Sequence, residues 1–254
     1  MVRSDPVTRF DEWLDEIEEV IGNKTILLAL DEFITLDEAF NEKRLSLATI
    51  LGLFRNLIQN RRHFRLLFSG THTFEELQHW ANYLINVQAV HLNYLLEDEA
   101  LQLIEHPVKN FPLHYAQDAT QRVMQITHNQ PALVQLLCGE IVQLKEGQTV
   151  DKRLYVQVED VELAIPMALQ SGSFFFADIE QNQIDDNGRA ILHFIASKGE
   201  GTFVSQETLL TQFPTDLVKT LKHLLQRELL EESSDKNSYR FQVELVRRCF
   251  FANL

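Results

Sequence analysis

Glycine and proline are scarce in this chain, 9 and 6 of 254 residues. That excludes a collagen-like repeat or a flexible low-complexity tract as its main content. Cysteine occurs twice, at Cys138 and Cys249, each inside an apolar helical pattern and without a Cys-x-x-Cys partner. A disulfide scaffold is therefore excluded, and the two thiols read as small core residues of a protein kept in a reducing cytoplasm. No stretch approaches the ~18 consecutive apolar residues of a membrane-spanning helix, and the opening MVRSDPVTRFDEWLDE lacks the apolar centre of a signal peptide. A soluble protein with no membrane partner is expected. Basic residues are in deficit, 23 Lys and Arg against 37 Asp and Glu, a net charge of -14. Such a balance opposes broad attraction to nucleic acid and confines any DNA contact to a local patch. Also missing are the Gly-x-x-x-x-Gly-Lys-Ser/Thr phosphate loop, the Gly-x-Ser-x-Gly of serine hydrolases and the His-Glu-x-x-His of zinc proteases. His72, Glu75, Glu76 and His79 stand close together but in the wrong order for that zinc motif, and read as a helix surface.

What remains is a chain with 45% hydrophobic residues, enough for one large or two ordinary domains. Phe10, Trp13, Leu14, Ile17, Val20 and Ile21 share one face of an opening helix, with acids filling the other side, and Gly22-Asn23 stops it. The run Ile26-Leu27-Leu28-Ala29-Leu30 predicts a buried strand ending in Asp31-Glu32. Leucines and isoleucines from Leu45 to Ile58 predict a second helix. Phe64-Arg65-Leu66-Leu67-Phe68 predicts a second strand before Ser69-Gly70-Thr71. After a helical pattern over Phe74 to Asn82, Ala89 to Leu92 suggests a third strand, so a parallel, helix-covered sheet is expected. Arg61, Arg62 and Arg65 read as solvated charges flanking a strand.

From Glu97 the pattern is helical only: Glu97 to Glu105, Ala116 to Ile126, Ala132 to Leu144 and Val158 to Leu169. Ser171-Gly172-Ser173 and the polar run Glu180 to Gly188 read as a connector, although Phe174-Phe175-Phe176 inside it should dock on something. A boundary near residue 180 follows. Beyond it come three helical patterns, then Leu229 to Glu232 and Tyr239 to Gln242 as a hairpin about a turn-rich segment, then a last helix through Cys249. That is the order of a winged helix. The expected fold class is α/β followed by all-α, with residues 1–95 carrying the sheet, 96–180 a helical bundle and 181–254 the winged helix.

Asp-Glu pairs recur at Asp11-Glu12, Asp15-Glu16, Asp37-Glu38 and Asp98-Glu99, so spelling alone singles out none of them. Asp31-Glu32 differs by standing at the carboxyl end of a strand, where open α/β sheets bind ligands. The alternative is a solvated strand end. With ILLALDEF the chain resembles the P-loop ATPases of the AAA+ and STAND group at their Walker B strand. FRLLFSGTH resembles the following sensor strand, and VHLNYLLEDEALQLIEHPV the linker and first lid helix. ITHNQPALVQLLCGEIV resembles the lid segment with its Gly-x-Pro signature, here Asn129-Gln130-Pro131, and YRFQVELVRRCFF closes a winged helix of the kind that often follows. The resemblance spans nearly the whole chain. It implies Mg2+ and ATP as cofactors, Asp31 as the magnesium carboxylate, Glu32 as the catalytic carboxylate acting on water, and Ser69 or Thr71 as the γ-phosphate sensor. Asn129 and Pro131 would line the nucleotide. Locally, Ser69-Gly70-Thr71 also reads as a strand-ending turn with Gly70 at positive φ, and Pro131 as an ordinary helix-starting proline.

The resemblance implies an ATP-gated signalling switch, and the missing phosphate loop implies that this chain alone has negligible ATPase activity and binds ATP weakly. In the family that loop lies upstream of Walker B, and residues 1–25 are fewer than the ~30 of a βαβ unit. A protein partner, or a missing amino-terminal ATPase half, is therefore expected to supply it. The segment His72 to Val90 contains no Arg, which removes a ring-type arginine finger and favours STAND. The alternative is a non-catalytic protein- or DNA-binding module. Residues 185–254 carry net charge -1 against -13 for the rest, and Lys219, Lys222 and His223 share a helix face opposite leucines, as a groove-reading helix would arrange them. An ordinary wet helix face explains the same pattern.

Overall fold

The computed structural model describes residues 5–33, 35–70, 87–149 and 151–252. They fall into two compact units divided between His91 and Leu92. The architecture is α/β first and predominantly helical afterwards. Among the described residues no helix is long and apolar enough to cross a membrane.

The first unit opens with α1 (Pro6–Ile21), capped by Asp5, whose side chain accepts from Thr8 N at 3.3 Å, and ended by Gly22 at φ 62°. Strand β1 (Ile26–Leu30) is followed by α2 (Thr35–Asn41), α3 (Leu47–Gln59) and β2 (Phe64–Phe68). The strands pair in parallel from Ile26 opposite Phe64 to Leu30 opposite Phe68. Parallel neighbours need a crossover, and α3 supplies it, burying Ile50, Leu51, Phe54 and Leu57 with Leu14 and Phe64. The expected continuous burial of β1 does not hold. Alternation wins: Ile26, Leu28 and Leu30 pack toward the core, while Leu27 is 61% and Leu67 51% exposed on the other sheet face. Ala89 to Leu92 forms no strand; a ladder requires a neighbour, and β1 and β2 pair only with each other among the described residues. Arg61 also departs from expectation. Only 7% exposed, it donates to Asp11 at 2.8 Å and Glu18 at 2.9 Å and lies 2.7 Å from Asp15, three acids on one face of α1. The acidic stripe of α1 is thus partly neutralised by a cation whose stem is buried.

The second unit contains α4 (Glu97–Glu105), β3 (His114–Tyr115), α5 (Gln117–Thr127), α6 (Pro131–Glu146), β4 (Tyr155–Val156), α7 (Val158–Ser171) and α8 (Ser173–Asn182). It continues with α9 (Asp186–Ala196), β5 (Val204–Ser205), α10 (Gln206–Gln212), α11 (Leu217–Gln226), β6 (Leu230–Glu232), β7 (Ser238–Phe241) and α12 (Glu244–Ala252). The last three strands form an antiparallel sheet in the order β5-β7-β6. From α9 the order is helix, strand, helix, helix, strand, strand, helix, the order that the sequence pattern predicts apart from the short β5. Asp185 starts α9 by accepting from Gly188 N at 2.7 Å. The phenylalanine triplet lies on α8 rather than in a connector: Phe176 is 3% exposed and Phe174 90%. Helical spacing sends adjacent side chains about 100° apart, so three in a row do not dock together.

Gly172 joins α7 to α8 where a Cβ would stand 2.7 Å from Leu136 Cδ2 and 2.9 Å from the Phe176 ring. Gly172→Ala should therefore cost about 1–3 kcal/mol by overpacking, measured by urea denaturation; an unchanged midpoint would mean that the α6–α8 contact is looser than described.

Four ions close a ring. Arg122 on α5 donates to Glu162 at 2.6 Å and to Glu200 at 2.9 Å, and Arg248 on α12 donates to Glu162 at 2.8 Å and Glu200 at 3.2 Å. Hydrogen bonds from Arg122, outweighing burial, push Glu200 down to about 2 from an ordinary 4.5. Because the folded value is the depressed one, the stabilisation is complete above pH 4.5 and is lost as pH falls toward 2. Denaturation midpoints measured across that window should fall with acid, and Glu200→Gln should start lower at neutral pH and show a shallower decline.

Candidate functional site

Parallel pairing brings the carboxyl ends of β1 and β2 side by side. Ser69 N donates to Leu30 O at 3.0 Å, and Phe33 N donates to Ser69 O at 3.2 Å, carrying the contact past the strands. Between these backbone bonds Ser69 Oγ donates to Asp31 Oδ1 at 2.6 Å, and the same oxygen accepts from Glu32 N at 3.1 Å. One carboxylate oxygen is thereby oriented by two donors, and Oδ2 accepts no side-chain hydrogen bond among the described residues. Both acids are exposed. Beneath them Phe33 is buried, its ring 5.3 Å from Phe68, which anchors the turn to the core.

Glu32 lies in the turn after the strand with φ 47°, a left-handed conformation uncommon for a side-chain-bearing residue. Its carbonyl accepts from Thr35 N and Thr35 Oγ1, both at 3.0 Å, and these bonds hold the turn. Gly70 is not among the residues at positive φ, so the local alternative of a left-handed glycine turn does not describe this strand end. Among the described residues its hypothetical Cβ would meet the Phe33 ring at 3.6 Å, an ordinary van der Waals contact. Thr71, the His72 to His79 cluster and the expected helix from Phe74 to Asn82 lie outside the described residues.

Asn129 and Pro131 belong to the second unit. Pro131 occupies the first turn of α6, where its missing N–H costs nothing. Asn129 has φ 58° and follows His128 at φ 50°. This left-handed conformation admits Gly freely and Asn more readily than most other residues. Its carbonyl accepts from Leu95 N at 3.1 Å, while its buried Oδ1 has no hydrogen-bond partner among the described residues. Spacing gave no hint of Tyr94, whose ring meets His128 edge-on at 5.4 Å. Burial, then the charge and hydrogen bond of Glu228, raise its hydroxyl pKa.

On α11, Lys219 and Lys222 are exposed, opposite buried Leu217, Leu221 and Leu224. His223 is half-buried, with Nε2 3.0 Å from Gln183 O, so its ring is engaged in docking the helix. Burial pushes the Cys138 thiol up to about 12 and that of Cys249 up to about 11, in keeping with core residues rather than nucleophiles. Among the described residues no group of three or more His, Cys, Asp and Glu is placed to hold a metal.

The Asp31–Ser69 contact predicts non-additive substitutions. Ser69→Ala and Asp31→Ala should each cost about 0.5–1 kcal/mol, the low end for a hydrogen bond because both groups are exposed, and the double variant should cost no more than the larger single change. Additive losses in urea denaturation would show that the two side chains do not interact in solution.

No family model and no curated protein matches the sequence. Solved structures do. A Walker-type ATPase of Pyrococcus abyssi superposes with a TM-score of 0.61 at 12% identity, over 98% of this chain and 68% of the other. The ORC2 protein of Aeropyrum pernix in its ADP form gives 0.50 at 14% identity, over 100% of this chain and 71% of the other. At such identities the likeness concerns fold alone.

Proposed function

We infer that the chain is a nucleotide-switch module of STAND type that supplies the magnesium and sensor side of an ATP site and relies on another polypeptide segment for the phosphate cradle. The observation that carries this reading is the 2.6 Å hydrogen bond from Ser69 Oγ to Asp31 Oδ1 at adjoining strand ends. A solvated strand end has no need of an oriented carboxylate. Mg2+ is commonly held by one or two carboxylates together with phosphate oxygens, and Asp31 fits one such ligand. The triphosphate itself does not fit: no glycine loop followed by Lys and Ser or Thr occurs in the sequence, and such a loop is what cradles phosphates. Glu32 is the candidate for orienting water, Thr71 a second sensor, and Asn129 and Pro131 the lid residues toward nucleotide. The exposed Leu27 and Leu67 on a two-stranded sheet favour a partner that extends and covers it, since such a sheet is marginal alone.

A DNA-binding role for the winged helix is the weaker reading. With His223 engaged on Gln183, the α11 face offers two lysines, and Glu231, Glu232 and Asp235 lie on or beside the adjoining hairpin.

The chain alone should show background ATP hydrolysis and no rise in Tm on titration with Mg-ATP. A ligand at 100 times its Kd adds about 2.7 kcal/mol of stability. A shift of that order, abolished by Asp31→Ala, would mean that this polypeptide builds a complete site and would remove the need for a partner.

A further inference from the structure

Segments that swing on one another are usually joined by one connector and meet across a limited, polar contact. The bundle α4–α7 and the winged-helix segment α9–α12 meet differently. One apolar cluster includes Ile104, Val123 and Ile165 on the bundle side and Ile191, Leu245 and Phe250 on the other. At its rim lies the four-ion ring. Arg122 and Glu162 come from the bundle, and Glu200 and Arg248 from the winged-helix segment, so Arg122–Glu200 and Glu162–Arg248 both cross the boundary with opposite polarity. Two cations and two anions balance, and each carboxylate bridges both guanidiniums. Arg248 also donates to Glu244 at 3.0 Å, and Arg247 donates to Glu244 at 2.7 Å and to Ala196 O at 2.8 Å, which fixes α12 to α9.

A second tie involves a different set of residues. Tyr94, near the start of the unit, packs edge-on against His128, and after burial the charge of Glu228, which follows α11 at φ 55°, raises its hydroxyl pKa. The Tyr94 side chain thus stands between the turn that carries Asn129 and the end of α11.

We propose that the Arg122–Glu162–Arg248–Glu200 ring locks the bundle and the winged helix into one rigid body, so that the winged helix does not swing on the lid. The lock stands on residues 92–254 alone and goes beyond the nucleotide reading, whose failure would leave it intact. It restricts the switch proposed above: surfaces on α11 and on the bundle are presented together, and the α8 connector is not where the molecule bends. An ion ring suits this role better than more apolar area, because its pairs lose their partners when displaced by a few ångströms, whereas greasy contacts slide.

Amide hydrogen exchange of the full chain under rising urea, read by mass spectrometry, tests the lock. In the wild type, peptides from 97–171 and 186–252 should lose protection together. In Arg122→Gln/Arg248→Gln, peptides from 186–252 should open first, with protection at least tenfold below those of 97–171. Should that variant fail to fold, Glu200→Gln, which leaves Glu162 to both arginines, should show the same selective loosening in milder form. Wild-type winged-helix peptides that open ahead of the bundle would overturn the proposal. So would folded variants in which both regions still open together.

Discussion

Parallel pairing of two five-residue strands is the constraint on which the candidate site rests. Because β1 and β2 run in the same direction and in register, their carboxyl ends coincide, and one hydrogen bond of 2.6 Å can connect Asp31 to a residue 38 positions later. Antiparallel pairing would have put the two at opposite ends. The crossover helix α3 enforces the direction, and its apolar face, from Ile50 to Leu57, supplies the core that makes the pairing stable. Phe33, wedged against Phe68, then holds the turn in which Glu32 takes its left-handed backbone.

The two units solve their stability problems differently. In the first, a small sheet is covered on one face and bare on the other, and a buried arginine gathers three carboxylates of α1 at its margin. In the second, a single apolar cluster runs from helices α4–α7 into α9–α12 and is bordered by ions that satisfy one another. The first unit exposes apolar side chains, Leu27 and Leu67, on one sheet face, while in the second ion pairs border a continuous apolar cluster.

Much of this was legible in the residues. Helical periodicity located α1, α3, α6, α7 and α11 to within a few positions, because each carries an apolar stripe wide enough to dominate its window. The five-residue apolar runs located β1 and β2. Two-residue strands such as β3 and β4 were not legible, since a bridge of that length has no periodicity and exists only when distant backbone segments meet. Ala89 to Leu92 shows the converse: its β-like residues form no strand because a strand is a property of a pair. Arg61 was misread for a related reason, as its three partners lie 43 to 50 residues upstream.

By itself the sequence determined the longer helices, the two five-residue strands, the absence of a phosphate loop and the positions of Asp31 and Glu32 at a strand end, all consequences of local spacing and residue chemistry. It also placed Pro131 at the start of a helix. Tertiary structure alone decided that Ser69 orients Asp31, that Arg61 gathers Asp11 and Glu18, and that Arg122, Glu162, Glu200 and Arg248 close into a ring. Each of these unites side chains from segments far apart in the chain, and hydrogen bonds act over about 3 Å in space irrespective of separation along the backbone.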